Sequence, residues 1–264
     1  RRRIFLPLYL NGKGPFTFEL DNGSHFILTE ETAKALGLAA KGSFSSTGAG
    51  NQIATTGYVM VDKLRIGSAE LVKQPAKVLA LSHNDRGGSS PRAGILGLEF
   101  FERFVVGVDH RRKIVTLRLV KDPPSRHLGR AVPLLFDEDA PLVAGSYEGV
   151  PGMVMLDIGN AGATIVEDYW AGEHGLRPKL SAGVPKGSAK LSKARIGLGP
   201  FVLEDETAAY LGQAERGSEY TRSVAAIIGE PLLSRFDAVY DYGHRTVWLD
   251  PIPGAGAVDF DLRR

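Results

Sequence analysis

The feature that most constrains this chain is a short pattern made twice: an apolar strand runs into an aspartate, a variable residue and a glycine. Phe16, Phe18 and Leu20 share one face of a strand that leads to Asp21, Asn22 and Gly23. Met153 to Leu156 lead in the same way to Asp157, Ile158 and Gly159, 136 positions later. Each glycine lets the backbone bend sharply beside its carboxylate. Two carboxylates delivered by two copies of one unit point to a single shared site.

The surrounding features repeat in the same order. Residues 95 to 117 align without a gap on 227 to 249, a shift of 132, with 7 identities in 23 positions. Ile95, Gly97, Arg103, Phe104, Asp109, Val115 and Leu117 fall on Ile227, Gly229, Arg235, Phe236, Asp241, Val247 and Leu249. Lys63 to Gly67 echo Lys193 to Gly197 at a shift of 130, and Gly37 matches Gly175 at 138. Small changes of shift between blocks are what loop insertions leave in an internally duplicated unit. The first copy is expected over residues 1–122, a Pro- and Gly-bearing linker over 123–130, and the second copy over 131–264.

Most segments read as strands. Ile4 to Leu10 and Phe16 to Leu20 form a hairpin around Asn11, Gly12, Lys13, Gly14 and Pro15. A short helix starts at Thr29, Glu30 and Glu31 and stops at Gly37, and another closes at Gly175. Residues 42 to 57, rich in Gly, Ser and Thr around Gly48, Ala49 and Gly50, read either as a surface hairpin or as a flap over a cleft.

With 264 residues, 43% of them hydrophobic and 23% charged, the chain can bury a large core or two smaller ones. The net charge is only +2, and the basic cluster Arg1 to Arg3 stands alone, so nucleic acid is not an expected partner. The absence of cysteine excludes disulfides and thiolate catalysis. No stretch approaches the roughly 20 apolar residues of a membrane span.

Other chemistries find little support. The six histidines (25, 83, 110, 127, 174 and 244) lack metal spacing, so no metal and no cofactor are expected. His25, four residues after Asp21, is read as incidental. There is no GxSxG elbow, and Gly48, Ala49, Gly50 lacks the third glycine of a dinucleotide loop. Asp109 and Asp241 form a second repeated pair. Each precedes a charged or polar turn, so both are expected as solvated hairpin ends.

In each half, a strand ending in Asp-x-Gly, a flap segment in the first, and a later apolar-apolar-Gly segment (Ile95, Leu96, Gly97; Ile227, Ile228, Gly229) make the chain resemble the aspartic peptidases. Within them it is most similar to the bacterial retropepsin-like proteins that carry two lobes in one chain. The resemblance implies an all-β, two-lobed aspartic protease fold, each lobe a barrel-like unit with short helices and the active cleft between them. It further implies Asp21 and Asp157 as the catalytic pair, Gly48, Ala49 and Gly50 as the substrate-binding flap, and Asn22, Gly23, Ile158 and Gly159 as support for the active loops. The family residue after each Asp is Thr or Ser, whose hydroxyl bonds across the lobes. Asn22 can donate and accept in that place, whereas Ile158 cannot.

The implied partner is a peptide or protein substrate, with dimerisation not required because both lobes lie in one chain. Bacterial relatives of this shape are often exported, so an exported or periplasmic location is expected. Two other functions stay open: an Asp-dyad enzyme with a non-peptide substrate, and a binding protein that kept the cleft without the reaction.

Overall fold

The computed structural model describes residues 3–47, 53–81, 86–87, 90–121, 129–176, 190–210, 223–255 and 258–259. Its first half runs β1 (Phe5–Leu10), β2 (Lys13–Leu20), β3 (Ile27–Thr29), α1 (Glu30–Leu36), β4 (Lys41–Thr47), β5 (Ile53–Ile66), β6 (Ala69–Leu79), β7 (Arg86–Gly87), β8 (Ser90–Pro91), β9 (Gly94–Leu96), α2 (Leu98–Phe101), β10 (Phe104–Asp109) and β11 (Ile114–Leu119). The second half runs β12 (Arg130–Pro133), β13 (Leu135–Asp137), β14 (Ala140–Tyr147), β15 (Val150–Asp157), β16 (Thr164–Val166), α3 (Asp168–Glu173), β17 (Lys190–Leu198), β18 (Phe201–Tyr210), β19 (Val224–Gly229), α4 (Glu230–Leu233), β20 (Phe236–Asp241), β21 (Thr246–Pro251) and β22 (Val258–Asp259).

Local chemistry accounts for the boundaries. Asn11 (φ 49°) and Gly12 (φ 79°) are both left-handed, the backbone a two-residue hairpin needs between Leu10 and Lys13. In α1 the Thr29 hydroxyl accepts from the Thr32 N–H, Glu30 and Glu31 occupy the first turn, and Gly37 closes the helix at φ 73°. The helix expected before Gly175 is α3.

Alternation along these strands turns one face inward, and the sheets close on themselves. In the first half β1-β2-β9-β3-β6-β5 forms a ring because β5 pairs back onto β1, with β4 added to β5. In the second, β14-β15-β19-β16-β18-β17 closes by β17 on β14, with β13 and β22 added outside. Closure removes sheet edges and leaves each barrel a packed interior. The all-β, two-lobed architecture is therefore observed.

A separate five-stranded sheet, β11-β10-β20-β21-β12, is built from both halves. In it Val106 lies opposite Tyr240, Gly107 opposite Val239 and Val108 opposite Ala238. Because 107 and 239 are 132 apart, the shift of the sequence repeat, an approximate two-fold axis passes through that pair. One hydrophobic cluster, including Leu8, Phe18, Phe101, Phe201, Phe236 and Tyr240, spans both lobes and this sheet.

One sequence alignment is refined. The hairpins β5–β6 and β17–β18 turn at Gly67 and Gly199, both at φ 54°, with Ile66 opposite Ala69 and Leu198 opposite Phe201. The structural shift there is 132, not 130, so Gly67 corresponds to Gly199 rather than Gly197. Around the expected linker, residues 122–128 lie outside the described residues, and Arg130 opens β12 against β21.

Candidate active site

Each aspartate is placed by a pair of parallel strands. β2 runs beside β9 with Leu20 opposite Leu96, and the Asp21 N–H donates to the Leu96 carbonyl at 3.1 Å. β15 runs beside β19 with Leu156 opposite Ile228 and Asp157 opposite Gly229. The chain after each aspartate is caught by the helix behind it: the Leu98 N–H donates to Ser24 O and the Glu230 N–H to Asn160 O, both at 2.8 Å. A Cβ on Gly97 or Gly229 would fall 2.2 Å from those same carbonyl oxygens, which is why the apolar segments end in glycine.

The two aspartate loops meet face to face. Asp21 Oδ1 accepts the Gly23 N–H at 3.0 Å, and Asp157 Oδ1 accepts the N–H groups of Gly159 at 3.0 Å and Asn160 at 3.1 Å. A Cβ on Gly159 would lie 2.2 Å from Asp21 Cγ, and one on Gly23 would lie 3.3 Å from Asp157 Oδ1. Each carboxylate thus sits over the glycine of the opposite lobe.

That arrangement sets their protonation. Asp21 is held well above the ordinary carboxylate range by burial first, then by the charges of Asp157 and Glu19, against the pull of the Gly23 N–H and Arg3. Asp157 is pushed up to about 6, again mainly by burial, with the Asn160 and Gly159 N–H groups opposing and Glu19 adding to the rise. Two such carboxylates share a proton and titrate as a pair.

Asn22 ties the lobes together. Its Oδ1 accepts the Ile158 N–H at 2.8 Å, and its Nδ2 donates to the Tyr242 hydroxyl at 3.1 Å. Asn22 is fully buried and Ile158 is 1% exposed, its side chain part of the hydrophobic cluster. Tyr242 itself is fixed by rings from both halves, Phe101 at 5.3 Å and Phe136 at 4.9 Å between centroids. Sequence reading placed Tyr242 in a polar turn and so missed it.

The other expectations resolve individually. Strands β4 and β5 form the hairpin leading to the expected flap, but Gly48, Ala49 and Gly50 lie outside the described residues. His25 engages Glu99 at 3.0 Å and Asp139 at 3.5 Å. Asp109 and Asp241 cap their own turns, accepting the Arg112 and His244 N–H groups at 2.7 and 3.1 Å. Asp241 is nonetheless buried, not solvated, because the hydrophobic neighbours Tyr240 and Tyr242 carry it into the core. Glu19, Arg3 and Arg92 form a charged cluster beside Asp21 that sequence reading also missed. In sequence Glu19 follows Thr17 on the more polar face of the strand, opposite Phe16, Phe18 and Leu20, so nothing local marks it as buried.

Among the described residues no group of three or more His, Asp or Glu side chains could hold a metal ion, and no helix is long and apolar enough to cross a membrane.

The family model for aspartyl proteases matches residues 6–100, which contain Asp21 and most of the first barrel. The crystal structure of the aspartic proteinase from Irpex lacteus is similar over 96% of this chain and 94% of that one, with a TM-score of 0.57 at 11% sequence identity. No curated protein matches the sequence. Two closed barrels, two Asp-x-Gly loops facing across their junction and these likenesses together show that the chain has the two-lobed fold of the pepsin- and retropepsin-like aspartic peptidases.

Proposed function

We propose that the protein is an aspartic endopeptidase in which Asp21 and Asp157 are the catalytic pair. The observation that carries this reading is the mutual packing of the two carboxylates over Gly159 and Gly23, in a half-buried site that favours one shared proton. In the reaction, the ionised member takes a proton from a water held between the two, and that water attacks the amide carbon of the substrate. The protonated member gives its proton to the carbonyl oxygen as the tetrahedral intermediate forms. Collapse of that intermediate breaks the C–N bond: the amine leaves with a proton from one member of the pair, while the other takes a hydroxyl proton as the carboxyl product forms, restoring the single shared proton. An extended peptide lying along the cleft would bond through its backbone to the hairpin of β4 and β5.

The matched element order and the recurring shift of 132 support descent of both lobes from one duplicated unit, of retropepsin-like type. The resemblance on which that rests also supports export from a bacterial cell.

The deciding experiment digests a diverse peptide pool with wild type and with Asp157→Asn across pH 3 to 8, read by mass spectrometry. Cuts made by the wild type and absent with the variant establish the reading. Cutting that survives Asp157→Asn, or no cutting by either protein, overturns it and turns the search to non-peptide substrates or ligands of the cleft.

A further inference from the structure

The first lobe holds a charged cluster at three positions where the second lobe is apolar. Glu19 precedes Asp21 by two residues on one strand, so the two share a face, with Cα atoms about 7 Å apart. Its side chain is 1% exposed, with Arg3 donating to Oε1 and Arg92 to Oε2. Extending the β1–β2 register, in which Phe5 faces Glu19 and the Leu20 N–H bonds Ile4 O, puts Arg3 opposite Asp21.

In the second lobe Leu142 faces Met155, so Met155 takes the place of Glu19 and Ala140 that of Arg3. Val224 follows Arg92 by 132 and takes the third place. All three are buried in one apolar cluster with Leu142 and Ile227.

An apolar trio satisfies the fold at these positions, so packing does not call for the charged one. A carboxylate buried there needs cationic partners to stay ionised, and two arginines supply them. The result is a carboxylate fixed beside Asp21 between two guanidinium groups.

We propose that Glu19, clamped by Arg3 and Arg92, is a positioning residue for the pair, a third anion that keeps one proton on Asp21 and Asp157 toward neutral pH. This rests on the reading of those two aspartates as the reacting groups. Among the described residues, the groups that face the pair are Glu19 and Arg3 from the first lobe, Tyr240 and Tyr242 from β20 and its turn, and the N–H groups of Gly23, Gly159 and Asn160. Burial raises both phenols, so they are neutral in this range. Glu19 raises both aspartates and Arg3 opposes it, so the two side chains act on the pair with opposite sign.

The test follows the titration of the two aspartates by carboxyl carbon-13 NMR between pH 3 and 9 in wild type, Glu19→Gln and Arg3→Met. Losing the anion lowers the midpoints by about one pH unit, and losing the cation raises them by a similar amount. Opposite movements support the proposal, because a merely structural role would not split them by sign. Midpoints that stay fixed, or move the same way in both variants, overturn it. Should Glu19→Gln fail to fold, Arg3→Met decides alone: a rise supports the proposal and anything else overturns it. The titration needs no substrate, so a failed peptidase reading shows separately, as no cleavage by the wild type.

Discussion

Asn22 stands where the family resemblance implies a hydroxyl, and its amide reaches further than a hydroxyl could. One end accepts from the Ile158 backbone across the lobe junction, and the other donates to Tyr242. Asn22→Ala leaves both partners buried without it, at a cost of about 2–3 kcal/mol read by urea denaturation. Loosening the two loops by a fraction of an ångström is expected to lower kcat/KM by about 10- to 100-fold. Ile158→Thr restores the family residue by type but puts a hydroxyl in an apolar, closed site, so it is expected to lose stability without gaining activity.

The aspartates carry a second consequence at the same scale. Both titrate higher in the folded protein than in an unfolded chain, where a carboxyl has its ordinary value near 3.9. For Asp157 the folded state therefore binds protons more tightly than the unfolded one between about pH 4 and 6. Stability present below that window is lost as pH rises through it. For Asp157 alone, held at about 6, the loss is on the order of 3 kcal/mol by pH 7. Asp157→Asn removes the penalty, so its Tm should exceed that of wild type at pH 7, with the gain gone at pH 3.5. A gain of equal size at both values would show that charge is not the cause.

At the scale of elements, the glycines show why sequence reading found the loops so readily. Strand, aspartate, spacer and glycine is a local pattern, and the close approach of Gly97 to Ser24 and of Gly229 to Asn160 leaves room for no other residue. The fold was legible because alternation and turn residues are local as well. Tyr242 and the Glu19 cluster were not, since they depend on partners far along the chain: Asn22 and Tyr242 are 220 residues apart. Burial of Asp241 escaped notice for the same reason, as a turn that looks polar in sequence packs against another element in space.

The geometry at the two aspartate loops is unequal, and that can be measured. An alanine at 159 would drive its Cβ into the Asp21 carboxyl at 2.2 Å, whereas one at 23 meets Asp157 Oδ1 at 3.3 Å and Met155 Cε at 3.4 Å. Gly159→Ala is expected to abolish cleavage, and Gly23→Ala to lower kcat/KM by about tenfold or less, in assays of equal amounts of folded protein. Equal losses would mean that the loops are looser than their packing implies.

For the whole molecule, the site depends on a sheet that neither half completes. β10 and β20 pair around Gly107 and Val239, and the hydrophobic cluster continues across them from one barrel into the other. Opening one barrel exposes apolar surface that belongs to both, which makes partial unfolding costly and couples the lobes. Heating should therefore give one transition, with calorimetric and van't Hoff enthalpies equal. Gly107→Val sharpens the test: its Cβ would lie 2.4 Å from Thr116 Oγ1 and strain the shared sheet without touching either aspartate loop. Native-state hydrogen exchange should then show protection falling by the same factor in β2 of the first barrel and β15 of the second. A fall confined to one barrel would mean that the lobes open independently, and that only their contact in the folded state holds the two aspartates together.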